Sequence, residues 1–178
     1  MSWGEIENWV RQNAPALHAA FLPPADVRIA GLPPDLAAWW QVFGGVNRAA
    51  LQDDSPLIPV YWHPLGPDAA LRQRETCLRT HAGWSPEWLP IAADCFGEED
   101  VLFVDLREGL THGNVVMYEH GHGRYSGPEW TSVAAMLEHV LQMLRNNTDP
   151  VYRLLVFEDG HIDWDVRPTL TPDSRPLR

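Results

Sequence analysis

The chain has 178 residues, of which 45% are hydrophobic, so it can bury one core, and its length is typical of a single domain of roughly 100–200 residues. Its 24 acidic residues outnumber its 13 basic residues, all of them arginine, and the resulting formal charge of −11 disfavours nucleic acid phosphates and anionic lipid headgroups as partners. The same charge would attract and steer a basic protein, although it also suits a soluble protein that has no such partner.

The N-terminal segment predicts a helix from Ser2 to about Ala20. Ser2 and Glu5 have the spacing of a capping box, and Pro15 should bend or break the helix. The apolar side chains that can share one face are Trp3, Ile6, Val10 and Leu17. The next segment, residues 21–34, carries four prolines and should be extended or turned.

Two more helices and a short strand follow. A second helix should open at Pro34 and Asp35 and stop at Gly44-Gly45. Its apolar side is made by Leu36, Trp39, Trp40 and Phe43, and since adjacent helical residues point about 100° apart, at most one of the two tryptophans should face the sheet centre squarely. Residues 57–62 predict a short strand, and residues 67–81 predict a third helix with an arginine-rich exposed side.

The middle of the chain predicts a pair of strands. Two apolar runs, Val101–Leu106 and Val115–Tyr118, are separated by a polar segment that contains glycine, as is typical of consecutive antiparallel strands. The glycine-rich segment G-H-G-R-Y-S-G follows them. It lacks the ending and the placement of a phosphate-binding loop, so we expect a turn ahead of Gly127-Pro128.

The C-terminal third predicts a helix and a hairpin. Ser132 is the expected N-cap of the clearest helix in the chain, whose apolar positions repeat at helical spacing from Val133 to Leu144. Residues 151–166 predict a hairpin with Gly160 in its turn, and residues 167–178 predict a proline-rich, mobile tail. Helices mixed with hairpin-linked strands indicate an α+β fold with a mostly antiparallel central sheet flanked by helices.

Five sequence segments form a set whose order and spacing are distinctive. They are L-P-P-D-L-A-A-W-W-Q-V-F-G-G (32–45), W-L-P-I-A-A-D-C-F-G (88–97), V-L-F-V-D-L (101–106), G-N-V-V-M-Y-E-H (113–120) and G-P-E-W (127–130). Together they resemble the SUKH superfamily, in the branch typified by the fungal cell-wall-assembly regulators of the Smi/Knr type. The resemblance extends over most of residues 32–144.

The resemblance implies one SUKH-like domain over residues 1–166, used as a binding module and without catalytic residues. Bacterial members of the superfamily are predominantly immunity proteins, which neutralise a partner toxin that is often a nuclease. Fungal relatives regulate cell-wall synthesis through protein contacts. The tryptophan-containing N-terminal helix and the hairpin after Pro150 depart from the family pattern, so the resemblance does not locate an interface.

Acidic residues are the first candidates for a partner-binding surface. They are Glu98, Glu99 and Asp100 in one run and Asp53 and Asp54 in another. The first run, together with Asp94 and Asp105, could form a carboxylate site for acid/base chemistry or magnesium. A turn between strands is the simpler interpretation, with Asp105 capping or pairing locally.

Histidine and tryptophan supply the other candidates. His120 and His122, in the H-G-H segment, could hold a metal ion with help from Glu119 and His161, but no cysteine pair or helical H-x-x-x-H spacing supports this. We therefore interpret them as surface residues that can contact a partner. Trp62 is the tryptophan that best suits a binding edge, and the alternative is a half-buried strand residue.

Cysteine usage and the chain start bear on the compartment. Cys77 and Cys95 are too few for a disulfide framework and match no zinc motif, no signal-peptide pattern opens the chain, and no apolar run approaches ~18 residues. We expect a cytoplasmic, non-enzymatic immunity protein that binds a basic, nuclease-type toxin domain, with no metal, cofactor, nucleic acid or membrane partner. The alternatives are a regulatory scaffold that acts through protein partners and a metal-dependent hydrolase that uses the histidine-rich loop.

Overall fold

A computed structural model gives the structure of the protein, and it describes residues 2–27, 29–51, 55–97, 99–122, 124–147, 149 and 151–167. Three of the candidate acidic residues, Asp53, Asp54 and Glu98, lie outside the described residues, as does the predicted tail from residue 168 onward. Within these ranges, no helix has both the length and the apolar character that crossing a membrane requires.

The described residues form helices and strands in mixed order. The α-helices are α1 (Trp3–Asn13), α2 (Pro15–Ala19), α3 (Pro34–Trp40), α4 (Pro67–Thr80) and α5 (Val133–Asn146). The strands are β1 (Trp62–Pro64), β2 (Trp88–Asp94), β3 (Val101–Asp105), β4 (Val115–Glu119), β5 (Arg124–Trp130), β6 (Tyr152–Val156) and β7 (Ile162–Val166). Short 3₁₀ helices span Arg48–Ala50 and His120–His122.

The central sheet has five strands in chain order, β1-β2-β3-β4-β5, and each neighbouring pair is antiparallel. Strands β6 and β7 form a separate antiparallel hairpin. The predicted α+β class with an antiparallel central sheet is confirmed. The predicted strand pair is also confirmed, with Val101 opposite Tyr118 and Val104 opposite Val115.

The central strands are buried on both faces of the sheet. Successive side chains of a strand point to opposite faces, and a hydrophobic core covers each face. In β3, Leu102 and Val104 belong to a large core that includes residues of α1, α3 and α5. Val101 and Phe103 belong to a smaller core that includes Cys77 of α4. All five residues of β3 are therefore buried, and most exposed side chains near the sheet come from the strand connections at its two ends.

The N-terminal helix differs from its prediction in two respects. Helix α1 ends at Asn13, and after Ala14 a separate helix, α2, begins at Pro15. Proline favours the first position of a helix, because it has no N–H to leave unpaired and its φ is already helical. The predicted capping box is wrong, because the Ser2 hydroxyl makes no cap and instead donates to Glu138 Oε2 of α5 at 2.6 Å. A tertiary hydrogen bond to the neighbouring helix has replaced the local one.

The second helix is shorter than predicted, since α3 ends at Trp40 and Gly44-Gly45 lies beyond it. Although the helix is short, both Trp39 and Trp40 are fully buried. Trp39 stacks on Phe43 with ring centroids 5.4 Å apart, while the Trp40 Nε1 donates to the Leu65 carbonyl oxygen at 3.0 Å. The third helix, α4, matches its prediction to within one residue.

The strand predicted over residues 57–62 is wrong for all but its last residue. Residues 59–61 form a turn, in which Val60 has a φ of 84° that a β-strand does not accommodate. Strand β1 begins at Trp62, and an isolated bridge joins Trp62 to Ile58. The turn expected before Gly127-Pro128 is also partly wrong, because residues 124–130 form β5.

Three strands of the central sheet contain a proline. Both edge strands contain one, Pro64 in β1 and Pro128 in β5. An interior strand also contains one, Pro90 in β2, and the register between β2 and β3 shifts between Pro90 and Ala92. A proline has no N–H to donate, so it is tolerated at an edge or beside such an irregularity.

The C-terminal elements match their predictions. The Ser132 hydroxyl caps α5 by accepting a hydrogen bond from the Ala135 N–H at 3.0 Å, and the predicted hairpin is β6–β7. Arg167, which the sequence assigned to the tail, donates from Nε to the carbonyl oxygens of Asp149 and Tyr152 at 2.6 and 3.0 Å. This arginine ties the end of the hairpin to the connection that precedes it.

Candidate functional site

One end of the central sheet gathers four of the residues that the sequence singled out. At this end β2 runs into β3, β4 runs into β5, and β1 begins. We call the exposed and half-buried side chains there the Tyr61 surface; its members are Tyr61, Phe96, Glu99, Asp100, Glu119, His120 and His122. Sequence reasoning had selected Glu99, Asp100, His120 and His122 but had missed the two aromatic residues.

An exposed aromatic side chain projects from the β2–β3 connection. Phe96 is 69% exposed, and its ring centroid lies 5.7 Å from that of Tyr61. The backbone that carries Phe96 is held in place, because Arg48 donates to the carbonyl oxygens of Asp94 and Cys95 at 3.0 and 2.9 Å and the Cys95 N–H donates to Tyr61. Phe96 and Tyr61 thus form an exposed aromatic pair on a braced loop.

Carboxylates and imidazoles alternate around this aromatic pair. Asp100 Oδ1 accepts a hydrogen bond from the His120 N–H at 2.8 Å. Glu119 Oε2 lies 3.1 Å from His122 Nδ1, and Glu99 Oε2 lies 3.5 Å from His120 Nε2. Each imidazole therefore lies beside one carboxylate, and the third carboxylate, that of Asp100, accepts from the main chain of His120.

A cavity of about 280 Å³ adjoins the Tyr61 surface. Its aromatic lining is Tyr61, Trp62, Trp130 and Tyr152, and Glu129, Asp149 and His139 are among its other lining residues. Trp62 is 3% exposed, so it does not stand at an open edge as the sequence suggested, and a partner could meet it only inside the cavity. Aromatic faces beside carboxylates favour a cationic group such as a guanidinium or an ammonium ion.

Among the described residues, the carboxylates that could form a catalytic or magnesium site are divided between the two ends of β3. Asp94 accepts from the Gly97 N–H at 2.5 Å and so braces the β2–β3 connection. Asp105 lies at the other end of β3, paired with Trp88, whereas Val101 pairs with Ala93. At about 3.4 Å per residue the two ends of β3 are ~13 Å apart, so these carboxylates serve local structure.

Asp105 is a buried carboxylate that one arginine satisfies. It is 2% exposed, and Arg107 donates to it from Nε at 2.9 Å, from Nη2 at 2.6 Å and from its main-chain N–H at 3.0 Å. Burial alone would raise the pKa of Asp105, but the Arg107 hydrogen bonds outweigh it and hold the pKa below its usual value. The negative charge is thus favoured in the folded protein.

Replacing Arg107 with alanine should lower the free energy of unfolding at pH 7 by about 1–3 kcal/mol, because a buried carboxylate loses its guanidinium donors and keeps only the main-chain N–H of residue 107 and the Thr111 side chain. The depressed pKa of Asp105 gives stability that is fully present above the unfolded pKa of ~3.9 and is lost as the pH falls through the folded value. The variant should therefore lose less stability than the parent on acidification to pH 3. Urea titrations at several pH values measure both effects.

Arg153→Ala is the matched control, because Arg153 pairs with Asp165 and both side chains are 44% exposed. Exposed pairs contribute about 0–1 kcal/mol, so this variant should change the free energy of unfolding by less than Arg107→Ala does. Equal losses in the two variants would contradict the structural role assigned to Asp105.

The two cysteines are structural. Burial raises the pKa of the Cys77 thiol to about 12, and Cys95 is 6% exposed. Because the thiolate is the nucleophilic form, a thiol with so high a pKa is inert near neutral pH. Neither residue contributes to the Tyr61 surface through its side chain.

A third histidine, which sequence reasoning overlooked, lies next to the histidine-rich loop. His81, at the end of α4, has its ring centroid 4.4 Å from that of His120. Glu99, His81 and His120 each bring one potential ligand atom into a common region. Of the two helpers suggested by the sequence, Glu119 lies beside His122, whereas His161 lies in the terminal hairpin beside Asp159.

Comparison of the chain with protein-family models gave no match, and comparison with curated proteins gave no match either.

Proposed function

We propose that this chain is a non-enzymatic binding protein that captures a basic protein on its Tyr61 surface, in the way that an immunity protein captures and blocks a toxin. The observation that carries the proposal is the exposed Phe96, set beside carboxylates and next to an aromatic, acidic cavity. The proposal places the protein in the cytoplasm, where a producing cell needs such protection.

The electrostatic part of the argument begins with the overall charge of −11. An enzyme that grips phosphates carries positive charge near its active site, so an acidic protein competes for that site by presenting a similar field. Asp100 and Glu119 border a depression of the Tyr61 surface, together with His120 and His122. Complementary charge of this kind raises the association rate and selects basic partners.

The affinity part of the argument rests on aromatic side chains. Binding energy in protein interfaces concentrates in a few residues that become fully desolvated, and aromatic residues are prominent among them. Phe96 supplies apolar area outside the cavity, whereas Trp130 and Tyr152 line its wall. An arginine or lysine of the partner can enter between these rings, where Glu129 supplies the opposite charge.

The first experiment is co-expression of the chain with the toxic domain encoded beside its gene. We expect growth to be rescued and the two proteins to copurify as a stable complex. A neighbour that is toxic and well expressed, but neither rescued nor bound, would contradict the immunity function and favour the regulatory-scaffold alternative.

Variants then locate the interface. Phe96→Ala should weaken the complex at least about tenfold by accelerating its dissociation, and Glu129→Lys should slow association most strongly at low salt. Leu110→Ala and Glu108→Lys are the controls, because both residues are exposed in the β3–β4 connection at the opposite end of the sheet. Equal effects of test and control variants would place the interface elsewhere. Surface plasmon resonance at two ionic strengths provides both rates.

A further inference from the structure

We propose that His81, Glu99 and His120 form a binding site for one transition metal ion of the zinc class. This inference goes beyond protein capture, which needs no metal. The three residues come from three separate connections: His81 follows α4, Glu99 lies between β2 and β3, and His120 follows β4. They are far apart in the sequence and meet only in the folded protein, so no sequence motif predicts the site.

The distances suit an ion with modest adjustment. One potential ligand atom from each residue lies within 4.8 Å of the other two, and Glu99 Oε2 is already 3.5 Å from His120 Nε2. Tetrahedral zinc with bonds of about 2.0–2.1 Å has ligand atoms ~3.3 Å apart. Shortening the distances between the ligand atoms requires small side-chain movements. Glu99 and His120 can make them, because their side chains are 54% and 35% exposed.

Hydrogen bonds already orient the His81 ring for a metal. His81 Nδ1 lies 2.8 Å from Thr80 Oγ1, which in turn lies 3.0 Å from the Thr76 carbonyl oxygen. When the hydroxyl proton of Thr80 goes to Thr76, Thr80 accepts from Nδ1–H, and the neutral ring carries its lone pair on Nε2. A ligating histidine usually donates from its other nitrogen in this way.

This proton arrangement leaves a place for a cation. His81 Nε2 lies 3.0 Å from the Glu99 carbonyl oxygen, and His81 is 5% exposed. In this tautomer the Glu99 carbonyl oxygen is a second acceptor beside the Nε2 lone pair, so both can face the same metal ion.

The surroundings fix the site in place. The His81 ring stacks on Tyr118, with centroids 5.1 Å apart, and meets Trp84 edge-on at 5.7 Å. Glu99 has a φ of 64°, a left-handed conformation that is uncommon outside glycine and often marks a functional position. Three protein ligands, with a water molecule in the fourth position, are one coordination that zinc adopts in proteins.

The test is zinc binding by the isolated chain. Protein stripped with a chelator and dialysed against zinc should bind one equivalent, as measured by elemental analysis, and its melting temperature should rise by several degrees with excess zinc. Cobalt should bind in place of zinc and give the visible absorption of a tetrahedral complex. The proposal would be overturned if the protein bound no zinc and its melting temperature changed with neither zinc nor chelator.

Matched variants assign the ligands. His120→Ala and Glu99→Gln should each weaken zinc binding by more than ~100-fold, because loss of even a supporting hydrogen bond typically costs 10–100-fold. His122→Ala is the control, since this neighbouring histidine lies outside the proposed set, with its side chain 66% exposed. Zinc binding that His122→Ala abolishes and His120→Ala leaves intact would overturn the assignment. Since the free chain is measured, the result does not depend on the proposed partner.

Discussion

Replacing Gly66 with alanine is expected to destabilise the protein by more than about 3 kcal/mol and to prevent folding at elevated temperature. A Cβ atom at position 66 would lie 1.7 Å from the carbonyl oxygen and 2.3 Å from the carbonyl carbon of Gly44. Both are backbone atoms, so no rotamer change relieves the clash. The Gly44 backbone is itself fixed, because its N–H donates to the Leu22 carbonyl oxygen at 3.1 Å. Chemical denaturation measures the loss.

Gly4→Ala is the control for this substitution. Gly4 lies in α1, and a Cβ atom there meets nothing within 4 Å. Alanine should stabilise this helix by about 0.5–1 kcal/mol, because it restricts the unfolded chain and suits a helix. A Gly66→Ala variant as stable as the parent would show that the chain segments around Gly44 and Gly66 can separate freely.

Replacing Ser55 with alanine is expected to lower the free energy of unfolding by about 2–4 kcal/mol. The fully buried Ser55 hydroxyl accepts from the Ile162 N–H at 2.8 Å and lies 3.2 Å from the Ile162 carbonyl oxygen, to which it donates. Alanine leaves both backbone groups of Ile162 buried without these bonds, at about 1–3 kcal/mol for each. Hydrogen exchange should reveal the loss as faster opening of β6–β7.

The hairpin also bears on the proposed interface, because Tyr152 at the start of β6 lines the aromatic cavity. Ser55→Ala should therefore weaken partner binding as well as stability. Ser85→Ala is the control: the Ser85 hydroxyl bonds to Glu87 in an exposed turn, so its loss should stay within ~0.5 kcal/mol. If Ser55→Ala behaved like Ser85→Ala, the hairpin would not be anchored through this residue.

Periodicity in the sequence predicted the elements whose local pattern and tertiary environment agree. The apolar repeat of α5 and the runs of β3 and β4 are such cases. Strands β2 and β5 were missed because Pro90 and Pro128 interrupt any strand pattern, and only the neighbouring strands make those positions acceptable. The strand predicted at 57–62 was displaced because Val60 turns the chain.

The sequence predicted only some of the residues of the candidate site. Runs of like residues drew attention to Asp100, His120 and His122, because residues adjacent in sequence are adjacent in space. His81 lies 18 residues from Glu99 in the chain, and Tyr61 lies far from Phe96. Their proximity arises from strand pairing and helix packing, which no local pattern encodes. Phe96 was not singled out, because one phenylalanine in a sequence carries no sign of whether its side chain is buried or exposed.

The prolines in both edge strands limit how copies of this protein can meet. An edge strand with free N–H and C=O groups is a template on which another chain can extend the sheet, and this is a common route to aggregation. Pro64 and Pro128 remove a donor from each edge of the main sheet. Association through the backbone of this sheet is thereby discouraged, so contacts between copies at these two edges would have to be made by side chains.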